Sequence, residues 1–230
     1  MDRTIKHQPG YFDFASSNDS VAVVSGTGIQ VVGSGSAILT ARLGEIPVTG
    51  EVTVRSIASP ATPAPVPTLP VQDVISLFSN AYPDVTVDTW LTSWSQPQGQ
   101  VSVSDLRISG DDVKAYTRLG FVGIEFVSET VDATAMTHFH LDLWVPPGTT
   151  LFRVKLVDFG ADGAFGGGDD REHELTFNTQ SIPPLVGGSW IALDLPLANF
   201  TGLTTRGHLA QLIIATQENA AFIDNVYFHR

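Results

Sequence analysis

Thr137-His138-Phe139-His140-Leu141-Asp142-Leu143-Trp144 is the stretch that decides the fold. Its apolar residues alternate, and successive side chains of an extended strand point to opposite sides. Phe139, Leu141 and Leu143 therefore belong to a core, while His138, His140, Asp142 and Trp144 form the other face. Elsewhere, short β-branched and aromatic runs are separated by Gly, Asn, Asp and Pro, with 21 glycines and 14 prolines in the chain. That pattern reads as all-β, and the residues from Val71 onward read as a β-sandwich. A chain of 230 residues holds one sandwich and a smaller unit.

Ser59-Pro60-Ala61-Thr62-Pro63-Ala64-Pro65-Val66-Pro67-Thr68-Leu69-Pro70 sets Pro among small residues at every second or third position. Such a stretch favours extended polyproline II and is expected to be a semi-rigid linker over 59–70. Ahead of it, within 1–58, Ser20 to Val24, Ile29 to Val32 and Ala37 to Ala41 are punctuated by Gly26-Thr27-Gly28 and Gly33-Ser34-Gly35-Ser36, the pattern of a β-meander.

Charge separates the two parts. Asp and Glu number 5 against 4 Lys and Arg before Leu69, and 19 against 8 after it, for a net charge of −12. An acidic surface without a basic stripe repels phosphate backbones and anionic lipid, so neither nucleic acid nor membrane is an expected partner. No run of about 18 apolar residues marks a membrane span. Met1-Asp2-Arg3-Thr4-Ile5-Lys6-His7 lacks the apolar centre of a signal peptide, so the start reads as a cut within a longer chain. With no cysteine present, an extracellular setting has to rest on other grounds.

Three constellations carry candidate chemistry. A flat aromatic ring beside hydrogen-bonding groups suits the two faces of a sugar, so the outward set of His138, His140, Asp142 and Trp144 is a candidate carbohydrate site. Trp90 and Trp94, four residues apart in Asp88-Thr89-Trp90-Leu91-Thr92-Ser93-Trp94, are expected to supply one stacking and one packing ring. His138 and His140 share a strand face and also have the spacing of a metal pair, with Asp142 the nearest further ligand. The second constellation runs from Asp158 to Glu174, with six carboxylates in 17 residues among glycines. Asp158, Asp162, Asp169 and Asp170 there suit calcium, although the spacing is not that of an EF-hand, and a solvated acidic loop is the plain alternative. The third is Asp224, expected on the core face with Phe222, Val226 and Phe228, where its charge needs a cation, an arginine or backbone amides. No serine elbow, His-Glu-x-x-His helix or cysteine nucleophile is present, so no enzyme is expected.

Ser16 to Ala41, closing with Gly50-Glu51-Val52-Thr53-Val54, resembles the second half of a group-2 bacterial Ig-like domain. A complete sandwich of that kind needs about 100 residues, so the unit is expected to be partial, with open edges that invite a strand-exchanged oligomer. Residues 71–230 resemble modules appended to secreted bacterial polysaccharide hydrolases such as laminarinases and agarases. The resemblance is carried by Asp73-Val74-Ile75-Ser76-Leu77-Phe78-Ser79, Val87-Asp88-Thr89-Trp90, Asp132 to His140, the Asp158–Glu174 loop, Phe200-Thr201-Gly202-Leu203 and Asp224-Asn225-Val226-Tyr227-Phe228. The leading and closing strands are similar to carbohydrate-binding modules of families 4 and 22, which implies a jelly roll, a structural calcium and Asp224 as one ligand. It implies an extracellular, non-catalytic module that holds polysaccharide, β-glucan such as laminarin first, for a catalytic domain in the same parent chain. A small jelly-roll lyase or hydrolase and a purely structural spacer are the alternatives.

Overall fold

The computed structural model describes residues 9–26 and 28–230. The leader reading of Met1 to His7 and the centre of the Gly26–Gly28 turn, Thr27, lie outside the described residues. Two compact units emerge, Met1–Ala58 and Ser59–Arg230.

In the first unit β4 (Gly35–Leu43) is the central strand. It pairs antiparallel with β1 (Asp13–Ser16), with β5 (Ile46–Pro47) and with β6 (Val52–Ser56). β2 (Ala22–Ser25) and β3 (Gly28–Val31) form a separate hairpin. The expected meander therefore breaks after β3. Gly35 adopts a φ of 134°, a value open to glycine and hardly to other residues, and β4 leaves the hairpin to pair elsewhere. Val21, Ala22, Ala37 and Leu39 make a small core. A cleft of about 480 Å³ lined by Phe14, Val24, Ile29, Leu39, Val48 and Val52 stays open beside it.

The second unit is a β-sandwich of jelly-roll type built from one curled antiparallel sheet. Its strands are β7 (Val74–Phe78), β8 (Ser102–Ile108), β9 (Asp111–Glu125), β10 (His138–Trp144), β11 (Phe152–Asp158), β12 (Arg171–Phe177), β13 (Trp190–Pro196) and β14 (Leu209–His229). The 21 residues of β14 take part in both layers. Gln211 to Ala215 lie between β11 and β9, and Phe222 to His229 run beside β10, which in turn pairs with β13. Alternation puts Phe139, Leu141 and Leu143 of β10 against Val154 and Leu156 of β11, Val122 and Ile124 of β9, and Leu212 and Ile214 of β14. Each such side chain, wholly buried, contributes roughly 1.5–3 kcal/mol on leaving water.

The Pro-rich stretch is no free tether. Pro60 and Ala64 are buried, and the segment is fixed to the sandwich through its carbonyls. The Trp190 indole donates to the Thr62 carbonyl at 2.8 Å, the Asn225 amide to Pro65 at 3.1 Å and the Tyr82 hydroxyl to Leu69 at 3.2 Å. Proline removes donors but leaves every carbonyl free to accept. An extended proline-rich chain therefore binds well to a face rich in aromatic rings and donors.

Candidate functional site

That strap lies on the very strand face that the alternation marks as a sugar site. Trp144 is 6% exposed, packed edge-on to Phe222 at 5.4 Å. Asp142 is 3% exposed and accepts the Asn225 amide at 2.9 Å. His140 stacks on Tyr227 at 4.6 Å and lies 3.3 Å from Asp194, whose same oxygen receives His229 at 2.8 Å. His138 stacks on His229. These residues are gathered as expected, and Pro65 to Leu69 of the strap line an open cavity of about 360 Å³ with His140 and Asp142. Among the described residues, no group of three His, Asp or Glu side chains is placed to hold a metal ion, the His138–His140 pair included.

Trp90 and Trp94 part company. Trp90 packs edge-on to Phe78 at 5.5 Å under the Lys114 ammonium, and its carbonyl accepts the Tyr116 hydroxyl. Trp94 remains 38% exposed on the outer surface of the other layer. Its position follows from Gly123 of β9, because a β-carbon there would fall inside the Trp94 ring. The ring packs directly against the bare backbone of Gly123. Thr92 donates its amide to the Gly123 carbonyl at 3.1 Å, and the Ser95 hydroxyl accepts the Gly123 amide at 3.2 Å.

Trp94 forms one wall of an open groove of about 770 Å³. The floor is Ile213 and Gln211 of β14 with Glu125 of β9; Gln211 donates to Glu125 at 2.9 Å. The far wall is Phe159 and Phe165, 5.6 Å apart, with Phe165 75% exposed. Glu172 closes one side, paired with Lys155 at 2.9 Å, and Arg153–Glu174 follows along the same strands at 3.3 Å. Two aromatic walls over a floor that offers amide and carboxylate groups form an arrangement that can stack on flat apolar surfaces and exchange hydrogen bonds between them.

The Asp158–Glu174 loop carries the far wall, and its carboxylates shape it. Asp169 accepts the Ala161 amide at 2.8 Å, Asp162 that of Ala164 at 2.9 Å, and Asp170 that of Gly166 at 2.8 Å. The Ala161 amide, above all, holds the Asp169 carboxyl below its ordinary value. Gly160, Gly163 and Gly166 to Gly168 all have positive φ, which lets so short a loop coil on itself. Asp158 is wholly buried and accepts three hydrogen bonds, from Gly160, Thr205 and His208. Phe159, Phe165, Gln211, Glu125 and Gly123 escape the sequence reading. Phe165, an aromatic residue at the centre of an acidic glycine loop, is the one visible signal.

Asp224 is buried, but not where strict alternation puts it. Asn225 takes a φ of 49° and the pairing with β10 and β7 shifts around it. Ile223, Val226 and Phe228 consequently enter the core while Phe222 and Asp224 join Trp144 and Asp142 on the strap side. One Asp224 oxygen accepts the Asn225 amide at 2.7 Å; the other has no hydrogen-bond partner. Burial, first, and the facing Asp111 carboxylate push its pKa from 3.8 to about 8.

No family model and no curated protein matches this chain. Among solved structures, it is similar to the family 30 carbohydrate-binding module of a cellulosomal cellulase of Clostridium thermocellum. That similarity has 12% identity and a TM-score of 0.49, over 67% of this chain and 96% of that one. It is also similar to a family 11 module of the same organism in complex with a β-1,3-1,4-mixed-linked tetrasaccharide, at 14% identity and TM-score 0.41, over 64% and 97%. A family 22 xylan-binding domain matches at 14% identity and TM-score 0.36, over 64% and 96%.

Proposed function

We propose that the C-terminal unit is a non-catalytic carbohydrate-binding module that takes a polysaccharide chain in the groove between Trp94 and Phe165. The observation that carries the reading is the Trp94 ring, partly exposed and packed on Gly123, in one groove with the Gln211–Glu125 pair. Both groove carboxylates are already engaged, Glu125 by Gln211 and Glu172 by Lys155, an arrangement suited to accepting hydroxyl hydrogens rather than to moving protons. A neutral β-glucan such as laminarin is the ligand proposed first. The setting proposed is extracellular, with the module holding substrate near a glycoside hydrolase or lyase domain of the same parent chain. Retardation in gels containing β-glucan, without release of reducing ends, is the expected result. Release of reducing ends would instead establish an enzyme.

The calcium reading is kept for Asp224 with Asp111. Two facing carboxylates and an orphaned buried oxygen suit a hard divalent cation, which such oxygens bind well. Without the ion, Asp224 keeps its proton up to about pH 8 in the folded chain, whereas the unfolded chain releases it near 3.8. The stability this gives is full below about pH 4 and is lost as the pH rises to about 8. In chelator, Tm is expected to fall across that range, and added calcium to raise it most at pH 8. A Tm indifferent to calcium at pH 8 would exclude the ion.

The open apolar cleft of the N-terminal unit supports a third proposal, pairing with a strand of a second copy. With 5 acidic against 4 basic residues, that unit is close to neutral and opposes self-association little. Sedimentation is expected to show a concentration-dependent dimer that residues 59–230 alone do not form. Monomers at all concentrations would refute it.

A further inference from the structure

A second cavity, of about 410 Å³, opens at the end of the sandwich where β11 stops and β14 starts. It shares no lining residue with the Trp94 groove. Three chain segments build it. Val131 and Leu209 exchange backbone hydrogen bonds, Ala133 donates to the Arg206 carbonyl at 2.8 Å, and Phe159 to that of His208 at 2.9 Å. Wholly buried Asp158 ties two of them together through the Gly160 and His208 amides and the Thr205 hydroxyl. The lining is therefore fixed before any ligand arrives.

Its chemistry differs from the groove's. The second unit pairs Arg107, Lys114, Arg153, Lys155 and Arg230 with carboxylates. Among the described residues the other three bases, Arg118, Arg171 and Arg206, form no ion pair, although acids outnumber bases here 19 to 8. Of these three, Arg206 lines the cavity, with the threonines 134, 204 and 205, with His208 and with Asp158. Of the acids at this end, Asp158 has both oxygens taken by the Gly160, Thr205 and His208 donors, and Asp132 has one oxygen occupied by the Thr134 amide at 2.9 Å and hydroxyl at 2.6 Å. His208 Nδ1 donates to the Gly160 carbonyl at 2.6 Å, which leaves Nε2 of the neutral ring as an acceptor.

We propose that this cavity is a second binding site, for the carboxylate of an acidic sugar, a uronate. A planar guanidinium matches a carboxylate with two parallel hydrogen bonds, and charge assistance makes these about twice as strong as neutral ones. The ring hydroxyls of the same sugar meet the threonine hydroxyls and His208 Nε2. A neutral sugar leaves Arg206 facing a hydroxyl and forgoes that gain. The site goes beyond the groove reading and does not depend on it.

Titration of the whole chain with methyl glucuronide, followed by amide NMR, tests this. Saturable shifts are expected at Thr205, Gly207 and His208, with methyl glucoside at least about tenfold weaker. Arg206→Gln is expected to remove the response, Arg206→Lys to restore part of it, and Trp94→Ala to leave it intact. Unchanged amide positions elsewhere in the Arg206→Gln spectrum separate lost binding from lost folding. Equal binding of the neutral glycoside, an unaltered response in Arg206→Gln, or no saturable shift with the uronate would each overturn the proposal. Saturable shifts of equal size with inorganic sulfate alone would also overturn it, by marking a site for any oxyanion.

Discussion

Trp94→Ala is expected to weaken binding of a β-glucan by about thirtyfold or more, since loss of a central aromatic anchor costs about 2 kcal/mol or more and each 1.4 kcal/mol is tenfold. The reason lies in the geometry. Trp94 is the 38% exposed ring among the four tryptophans that borders the groove, and it stands outside the main core, so its removal leaves the fold intact. Gly123→Val reaches the same end from beneath: a side chain at that position occupies the volume of the indole and must push the ring off its platform. Both variants should retain the parent Tm within a few degrees while losing retardation in affinity gels. Trp190→Phe, which removes only the hydrogen bond to the strap, should bind as the parent does. Undiminished binding by Trp94→Ala would take the groove out of the account.

Asp158→Ala is the change expected to cost most stability. Three donors converge on this carboxylate, at 3.0, 2.7 and 2.7 Å, inside a site closed to water. Each buried donor left without an acceptor costs about 1–3 kcal/mol, so a loss on the order of 4 kcal/mol is expected. Asp158→Asn retains one acceptor oxygen but sets an NH2 group against donors, and should fall about midway. Urea unfolding with an unchanged slope measures both. Because Gly160 and His208 anchor the root of the loop that carries Phe165, the same variants should bind glycan less tightly than their stability alone explains. A shift below about 0.5 kcal/mol in Asp158→Ala would show that the carboxylate is not what holds the loop.

These residues also show what a sequence can and cannot disclose. The two-residue period of Thr137 to Trp144 places Phe139, Leu141 and Leu143 in the core, because alternation is a local property of the backbone. It is silent on what covers the opposite face. His140, Asp142 and Trp144 have the makings of a ligand site, and the structure sets Pro65 to Leu69 of the same chain, about seventy residues earlier in sequence, beside His140 and Asp142. The proline-rich composition that identifies an extended segment does not say whether that segment runs free or lies on a surface. Asp224 shows how far alternation reaches: one residue of positive φ, Asn225, breaks the count, and the carboxyl changes face. The platform under Trp94 depends on the meeting of residues 94 and 123, a tertiary contact that neither local pattern contains. Phe165 stands out only as an aromatic ring in a loop otherwise made mostly of Gly, Ala and Asp.

In the proposed mode the ligand lies across β9 and β14 between Trp94 and Phe165, on the layer opposite the strap. Amide and indole NMR of the chain titrated with a soluble β-glucan oligosaccharide tests this placement most directly. Saturable shifts at the Trp94 indole, Gly123, Phe165 and the Gln211 side chain, with the Trp190 indole, His140 and Asn225 unmoved, are the result the account requires. Shifts centred on Trp190, His140 and Asn225 would contradict it, as would no shift with any neutral oligosaccharide of a broad panel.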